Sequence, residues 1–254
     1  TSDPEAGRRC WGGAAAVSLF AGRFDEARRL WTDAAAVAEQ PCVYLASAAL
    51  AAAYGGDRTG AVELVRRALD AERARPCTAH RAFARYAEGE ALAADDPAPA
   101  GTAYASAIVL ARGCGAGFVE GVALVGQASV WESTGDLDAA VRGYRALLDY
   151  WNRTGNATQL WTTIRNVARL LADHGRVADA SLLRAAADGA ASASRLTGAE
   201  SERDARERAQ LADRLGAETV TALEERARTL TAAGASAVAR AALDDVPAGQ
   251  PQCS

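Results

Sequence analysis

The residues able to carry chemistry in this chain are few and widely spaced. His80 and His174 are the two histidines, and with so much chain between them neither a two-histidine zinc helix nor a zinc finger can be assembled. Cys10, Cys42, Cys77, Cys114 and Cys253 form no Cys-x-x-Cys pair and are odd in number, which argues against a zinc site or a redox couple. All 28 basic residues are arginine. Without lysine there is no phosphate-cradling P-loop and no Schiff-base nucleophile. His174 stands beside Gly175 at a turn, where an imidazole pairs with a helix C-terminus, and Asp95-Asp96 precedes Pro97 in the corresponding turn of another segment. The expectation is a chain with no active site, no metal and no cofactor.

What remains is arginine in quantity. A guanidinium presents a planar fork suited to carboxylate or phosphate, so the question becomes where the chain holds these forks. Net charge is −4, and arginines alternate with acids as on solvated helix faces, so the basic footprint of a nucleic-acid reader is missing. Half of the residues are hydrophobic, enough for an extended core. The N-terminal TSDPEAGRRC lacks the order of a signal peptide and no long uncharged apolar run follows, so a cytoplasmic location is expected. The chain contains no methionine and reads as a piece of a larger protein from a GC-rich bacterial genome.

The elements that must position the arginines come in an array. Ala27, Ala61, Ala100, Ala140 and Ala180 share one environment at separations of 34, 39, 40 and 40 residues. Five positions before them stand Gly22, Gly56, Asp95, Gly135 and Gly175, residue types that accept a helix C-cap and tight turn. Four positions after stand Trp31, Val65, Tyr104, Tyr144 and Arg184, and seven after stand Ala34, Ala68, Ala107, Leu147 and Ala187, a stripe on the following helix that departs at Arg184. Twelve before stand Ala15, Ala49, Glu88, Ala128 and Ala168, and sixteen before stand Trp11, Leu45, Ala84, Leu124 and Ile164 on the preceding helix. Small residues let two helices approach and large ones fill the groove between them. The third unit matches least. The first four cysteines fall 32, 35 and 37 residues apart, each near the start of an expected helix and read as small buried residues.

This pattern resembles the tetratricopeptide repeat, two antiparallel helices per unit, over about residues 8 to 190. The implied fold is all-α: an α-α superhelix of about five helical hairpins over 1–190, followed by C-terminal capping helices over 191–254. Beyond the fifth unit the chain runs through a polar stretch and then two further helices. Terminal units of an array are atypical because their outer face meets water. QLWTTIRNVARLLADHGRVADASLLRAAADGA and LGAETVTALEERARTLTAAGASAVARAAL are similar to the C-terminal helical-repeat region of large actinobacterial transcriptional regulators, the antibiotic-regulator (SARP) type and the LuxR-type ATP-binding (STAND) proteins. That resemblance implies separate DNA-binding and nucleotide-binding domains upstream. The chain ends at DDVPAGQPQCS without the helix-turn-helix of the LuxR type, which favours the SARP order or a relative lacking DNA binding.

In tetratricopeptide arrays the inward residues of each first helix lie 18, 15, 11 and 8 positions before the reference alanine. Mapped here, the polar ones are Arg9, Arg85, Ser129, Glu132, Thr162, Arg165 and Arg169. On an inner wall these would take an acidic peptide or an anionic effector. The simpler alternative, and the favoured one, is that each arginine pairs with a nearby acid of its own or the next hairpin. Trp11, Trp31, Tyr144, Trp151 and Trp161 fit core positions better than a ligand cage. The functional expectation is a non-catalytic regulatory domain that binds a protein partner, an upstream domain of its own polypeptide or a small anionic effector, with no direct nucleic acid, no membrane and scope for a homo-oligomer. A freestanding adaptor or oligomerisation scaffold is the alternative.

Overall fold

A computed structural model describes residues 4–196 and 198–246, with side chains over 12–196 and 201–246. Every regular element among these residues is an α-helix. The chain divides into two compact units, Thr1–Val130 and Trp131–Ser254.

The first unit contains α1 (Pro4–Phe20), α2 (Phe24–Val37), α3 (Cys42–Tyr54), α4 (Arg58–Ala74), α5 (Thr78–Leu92), α6 (Pro97–Cys114) and most of α7 (Gly117–Ser133). From α1 to α6 each helix packs on the next, and α3 also packs on α5, the first helix of the following hairpin. All five reference alanines are fully buried, and every residue at the positions four and seven after them is buried too. The repeat register is therefore a packing register. The four turn glycines have φ between 73 and 86°, and no other residue type has positive φ among the described residues.

That last restriction explains the irregular third unit. Asp95, expected to accept the same turn as the glycines, has no positive φ, a conformation it takes less readily than glycine, and the turn there spreads over residues 93–95 instead of the two used elsewhere. The extra residue shifts the preceding helix by one. Ala87, fully buried, occupies the contact expected of Glu88, which instead pairs with Arg85 on the surface of α5 at 2.6 Å.

Tyr104 is the tightest fit in the first unit. Its ring lies against Gly89 of α5 and Gly126 of α7, and a Cβ on either glycine would overlap ring atoms. The hydroxyl donates to Glu90 at 2.8 Å, while the ring neighbours Tyr86, whose hydroxyl meets that of Tyr54 at 3.2 Å. Burial, and secondarily the Glu90 charge, raise the Tyr86 and Tyr104 phenols well above their ordinary range, so both stay neutral hydrogen-bonding groups.

The second unit contains the end of α7, then α8 (Leu137–Thr154), α9 (Ala157–Asp173), α10 (Val177–Gly189), α11 (Gly198–Leu215), α12 (Ala217–Ala227) and α13 (Ala232–Asp244). The polar stretch after α10 is itself helix α11, where the sequence predicts only two helices beyond the fifth unit. The core is built from large side chains: Tyr144, Leu147, Leu148 and Trp151 of α8, Ile164, Leu170 and Leu171 of α9, and Leu182 and Leu183 of α10 are all buried. Helices α11 and α12 pack on α10, whereas α13 turns back onto α8, α9 and α10. Ion pairs Arg145–Asp244 and Arg240–Asp149, and a 2.7 Å bond from Asn152 to the buried Ser236, fix α13 along α8.

Three cysteines can be placed. Cys42 opens α3 and is buried; Cys77 precedes α5 and is half-buried. Cys114 corrects the expectation of a buried helix start, for it ends α6 and is exposed. The spacing of 37 residues comes from the lengthened third unit and not from a shared position. Trp31, Tyr144, Trp151 and Trp161 are all buried; the Trp11 side chain lies outside the described residues.

Candidate functional site: an arginine-lined cleft

The seven inward positions are divided between the two units. Arg85 and Ser129 belong to the first; Glu132, Thr162, Arg165 and Arg169 belong to the second. Arg9 lies in α1, with its side chain outside the described residues. Arg85 is bound to Glu88 one turn along its own helix, and the Thr162 hydroxyl donates back to the Thr158 carbonyl at 3.2 Å.

The structure brings Glu132, Arg165 and Arg169 into one neighbourhood. Arg169 donates through Nε and Nη2 to the two oxygens of Glu132, both at 3.1 Å, and Glu132 also accepts from the Tyr144 hydroxyl at 2.6 Å. Burial alone would lower the pKa of the Arg169 guanidinium; the hydrogen bonds and charge of Glu132 outweigh it and raise the pKa further. Arg169 and Glu132 were placed eleven and eight positions before consecutive reference alanines, and they meet as the ion pair favoured for such arginines.

Arg165 has a different role. Its Nη1 donates to the Ser194 carbonyl at 2.7 Å and its Nη2 to the Ala187 carbonyl at 3.4 Å, with Asp188 at 3.5 Å. Together with the Trp161 indole, which donates to the Ser192 hydroxyl at 3.1 Å, it ties the segment after α10 to α9.

Arg184 is the residue whose importance the sequence conceals. It stands on α10 where the other units carry an apolar or aromatic side chain, and its side chain is only 7 % exposed. Its Nη2 meets Asp204 at 3.1 Å and also Glu207, both on α11. The face of α10 that would be apolar in a mid-array hairpin is thus a charged seam with the next helix. The alternating acids and arginines of ESERDARERAQ carried the signal, because an arginine in a core stripe requires acids opposite it.

Some of these side chains line a small open cleft of about 30 Å³. Its walls hold Arg165 and Arg169 from α9, Arg184 from α10, and Arg203, Asp204 and Glu207 from α11. No Ser, Thr, Cys, Lys or His is on its walls. Elsewhere, the Cys42 thiol is pushed up to about 11 by burial and, secondarily, by Glu72 and Cys77, which keeps it protonated. Among the described residues no group of three or more His, Cys, Asp or Glu could hold a metal ion, and no helix is long and apolar enough to cross a membrane.

No protein-family model and no curated protein matches this chain.

Proposed function

We propose that this chain is a regulatory binding domain of a multidomain bacterial transcriptional regulator, non-catalytic, with its hairpins forming a tetratricopeptide-like superhelix. It receives a partner or a small effector on the wall formed by first helices and passes that state to upstream modules. The observation that carries the reading is that two arginines from the inward positions of α9, Arg165 and Arg169, line an open cleft while the opposite side of the same helix is committed to packing through Ile164, Val167 and Leu171. Open clefts with convergent polar groups are where ligands bind.

The test uses the whole parent polypeptide and a promoter reporter. Thr162→Trp places a bulky ring at a half-buried inward position, and it should abolish the effector-dependent change in transcription while the protein melts as before. An unchanged response would sink the reading. A parent lacking nucleotide-binding and DNA-binding modules would replace it with the freestanding adaptor.

A further inference from the structure

Among the described residues, the cleft between α9, α10 and α11 has more donors than acceptors. Four guanidiniums and two carboxylates line it, and with Arg208 and the acids that pair with these arginines from beside it, Glu132 and Asp188, five guanidiniums meet four carboxylates. The acids available are already shared: Asp204 takes Arg184 and Arg208 at 3.1 Å each, Asp188 takes Arg165 at 3.5 Å and Arg208 at 3.0 Å, and Glu132 is occupied by Arg169 and Tyr144. Arg203 reaches Glu207 only at 4.0 Å, beyond hydrogen-bonding distance. Two buried donors, Arg165 Nε and Arg184 Nε, have no acceptor among the protein's own groups. The third such atom, Trp151 Nε1, is not on the cleft wall. Buried donors without acceptors are rare because their desolvation is uncompensated.

We propose that this cleft binds a compact phosphoryl dianion, held by Arg165, Arg184 and Arg203 and clamping α11 to the last hairpin. An anion meets that excess of positive charge. A tetrahedral phosphoryl group offers acceptors in more directions than a planar carboxylate, which suits guanidiniums arriving from three different helices. Asn166, also on the wall, adds an uncharged amide donor suited to an ester or hydroxyl oxygen. The inference rests on the reading that the second unit carries the effector surface, and it specifies the effector: inorganic phosphate, or a small metabolite ending in a phosphomonoester.

Calorimetry on the 254-residue chain with inorganic phosphate and with methyl phosphate, at ionic strength matched by chloride, tests it. Saturable binding of either supports the site, and the tighter of the two identifies the free or the esterified anion. Arg203 is 54 % exposed, so Arg203→Gln should fold and melt normally in chloride while weakening phosphate binding about tenfold or more. Arg29→Gln, an exposed arginine of the first unit, should leave binding unchanged. Hydrogen exchange over residues 203–215 should slow with phosphate in the wild type and not in Arg203→Gln. Absence of saturable binding, or equal affinity in wild type and Arg203→Gln, overturns the proposal. Such a failure removes the anion site alone, since the broader reading is judged by the Thr162→Trp reporter response.

Discussion

The two units solve the same packing problem with different materials. The first is built largely of alanine and glycine, so helix backbones approach closely and one aromatic, Tyr104, fills the space left between Gly89 and Gly126. The second spaces its helices with leucine, isoleucine and tryptophan, then ends its hairpins against a charged seam at Arg184. Close-packed small residues leave no slack for added volume. Large side chains with a buried ion cluster leave no slack for lost charge. The units should therefore fail under opposite kinds of substitution.

The largest effect is expected in the second unit. Arg184→Ala leaves Asp204 and Glu207 without their shared guanidinium, and Asp204 is itself buried. Removing one member of a buried ion cluster costs about 3–5 kcal/mol, readable as a lowered denaturant midpoint. The paired substitution Arg184→Met with Asp204→Leu should cost less, because both members of the most buried pair go together and the partners left over, Glu207 and Arg208, reach water. If Arg184→Ala melts like wild type, the seam is solvated and the contrast between the units fails.

Next comes added volume in the first unit. Gly126→Ala drives a methyl group into the Tyr104 ring, an overpacking cost of about 1–3 kcal/mol. Tyr104→Leu should lose stability alone but make Gly126→Ala nearly free, so the two effects are strongly non-additive. Thermal melts of the four proteins in that cycle check it. Additive losses would mean that the ring moves aside.

Acid should separate the units further. Glu72 is buried, accepts from Arg81 Nε at 2.8 Å and from the Cys77 amide at 3.1 Å, and links the end of α4 to the start of α5. Its pKa lies below the ordinary carboxylate value, chiefly through the Arg81 hydrogen bond and in spite of burial, which opposes the shift. A depressed folded pKa contributes stability that is complete above the unfolded value, about 4.3, and is lost as pH falls through the folded one. Glu72→Gln should thus be less stable than wild type at neutral pH and lose less stability than wild type between about pH 5 and pH 2. A parallel pH dependence in the two proteins would show that Glu72 is not the group being protonated.

How much of this was legible in sequence follows from what each feature depends on. The reference alanines and their partners four and seven positions later were readable because helical period and burial coincide, and all of them are buried. The slip at Glu88 was not, because a one-residue insertion in a turn leaves composition unchanged and shows only as an absent positive φ at Asp95. That Arg169 pairs with an acid of a neighbouring hairpin was the favoured alternative, but the sequence did not single out Glu132 as that acid. The role of Arg184 was not legible either: its departure from the stripe was visible, but its acids come from α11, a segment so rich in charge that the sequence reads it as a polar stretch. The cleft is likewise a product of tertiary contact between α9, α10 and α11, and local pattern carries no trace of it.

The smallest expected difference compares equivalent helix starts in the two units. Asp57 and Asp136 both cap the second helix of a hairpin, accepting from the amides of Gly60 at 2.9 Å and Ala139 at 3.1 Å. Loss of such a cap costs about 1 kcal/mol. Asp57 also pairs with Arg28 of α2 at 2.5 Å, a bond from the preceding hairpin for which the described structure of Asp136 shows no counterpart. If hairpins of the first unit are coupled through their turns, Asp57→Ala should exceed Asp136→Ala by the worth of that exposed pair, a few tenths of a kcal/mol, and the excess should vanish in an Arg28→Ala background. Equal losses in both backgrounds would mean that the caps act alone, and that neighbouring hairpins are joined by their packed faces and not by the charges at their turns.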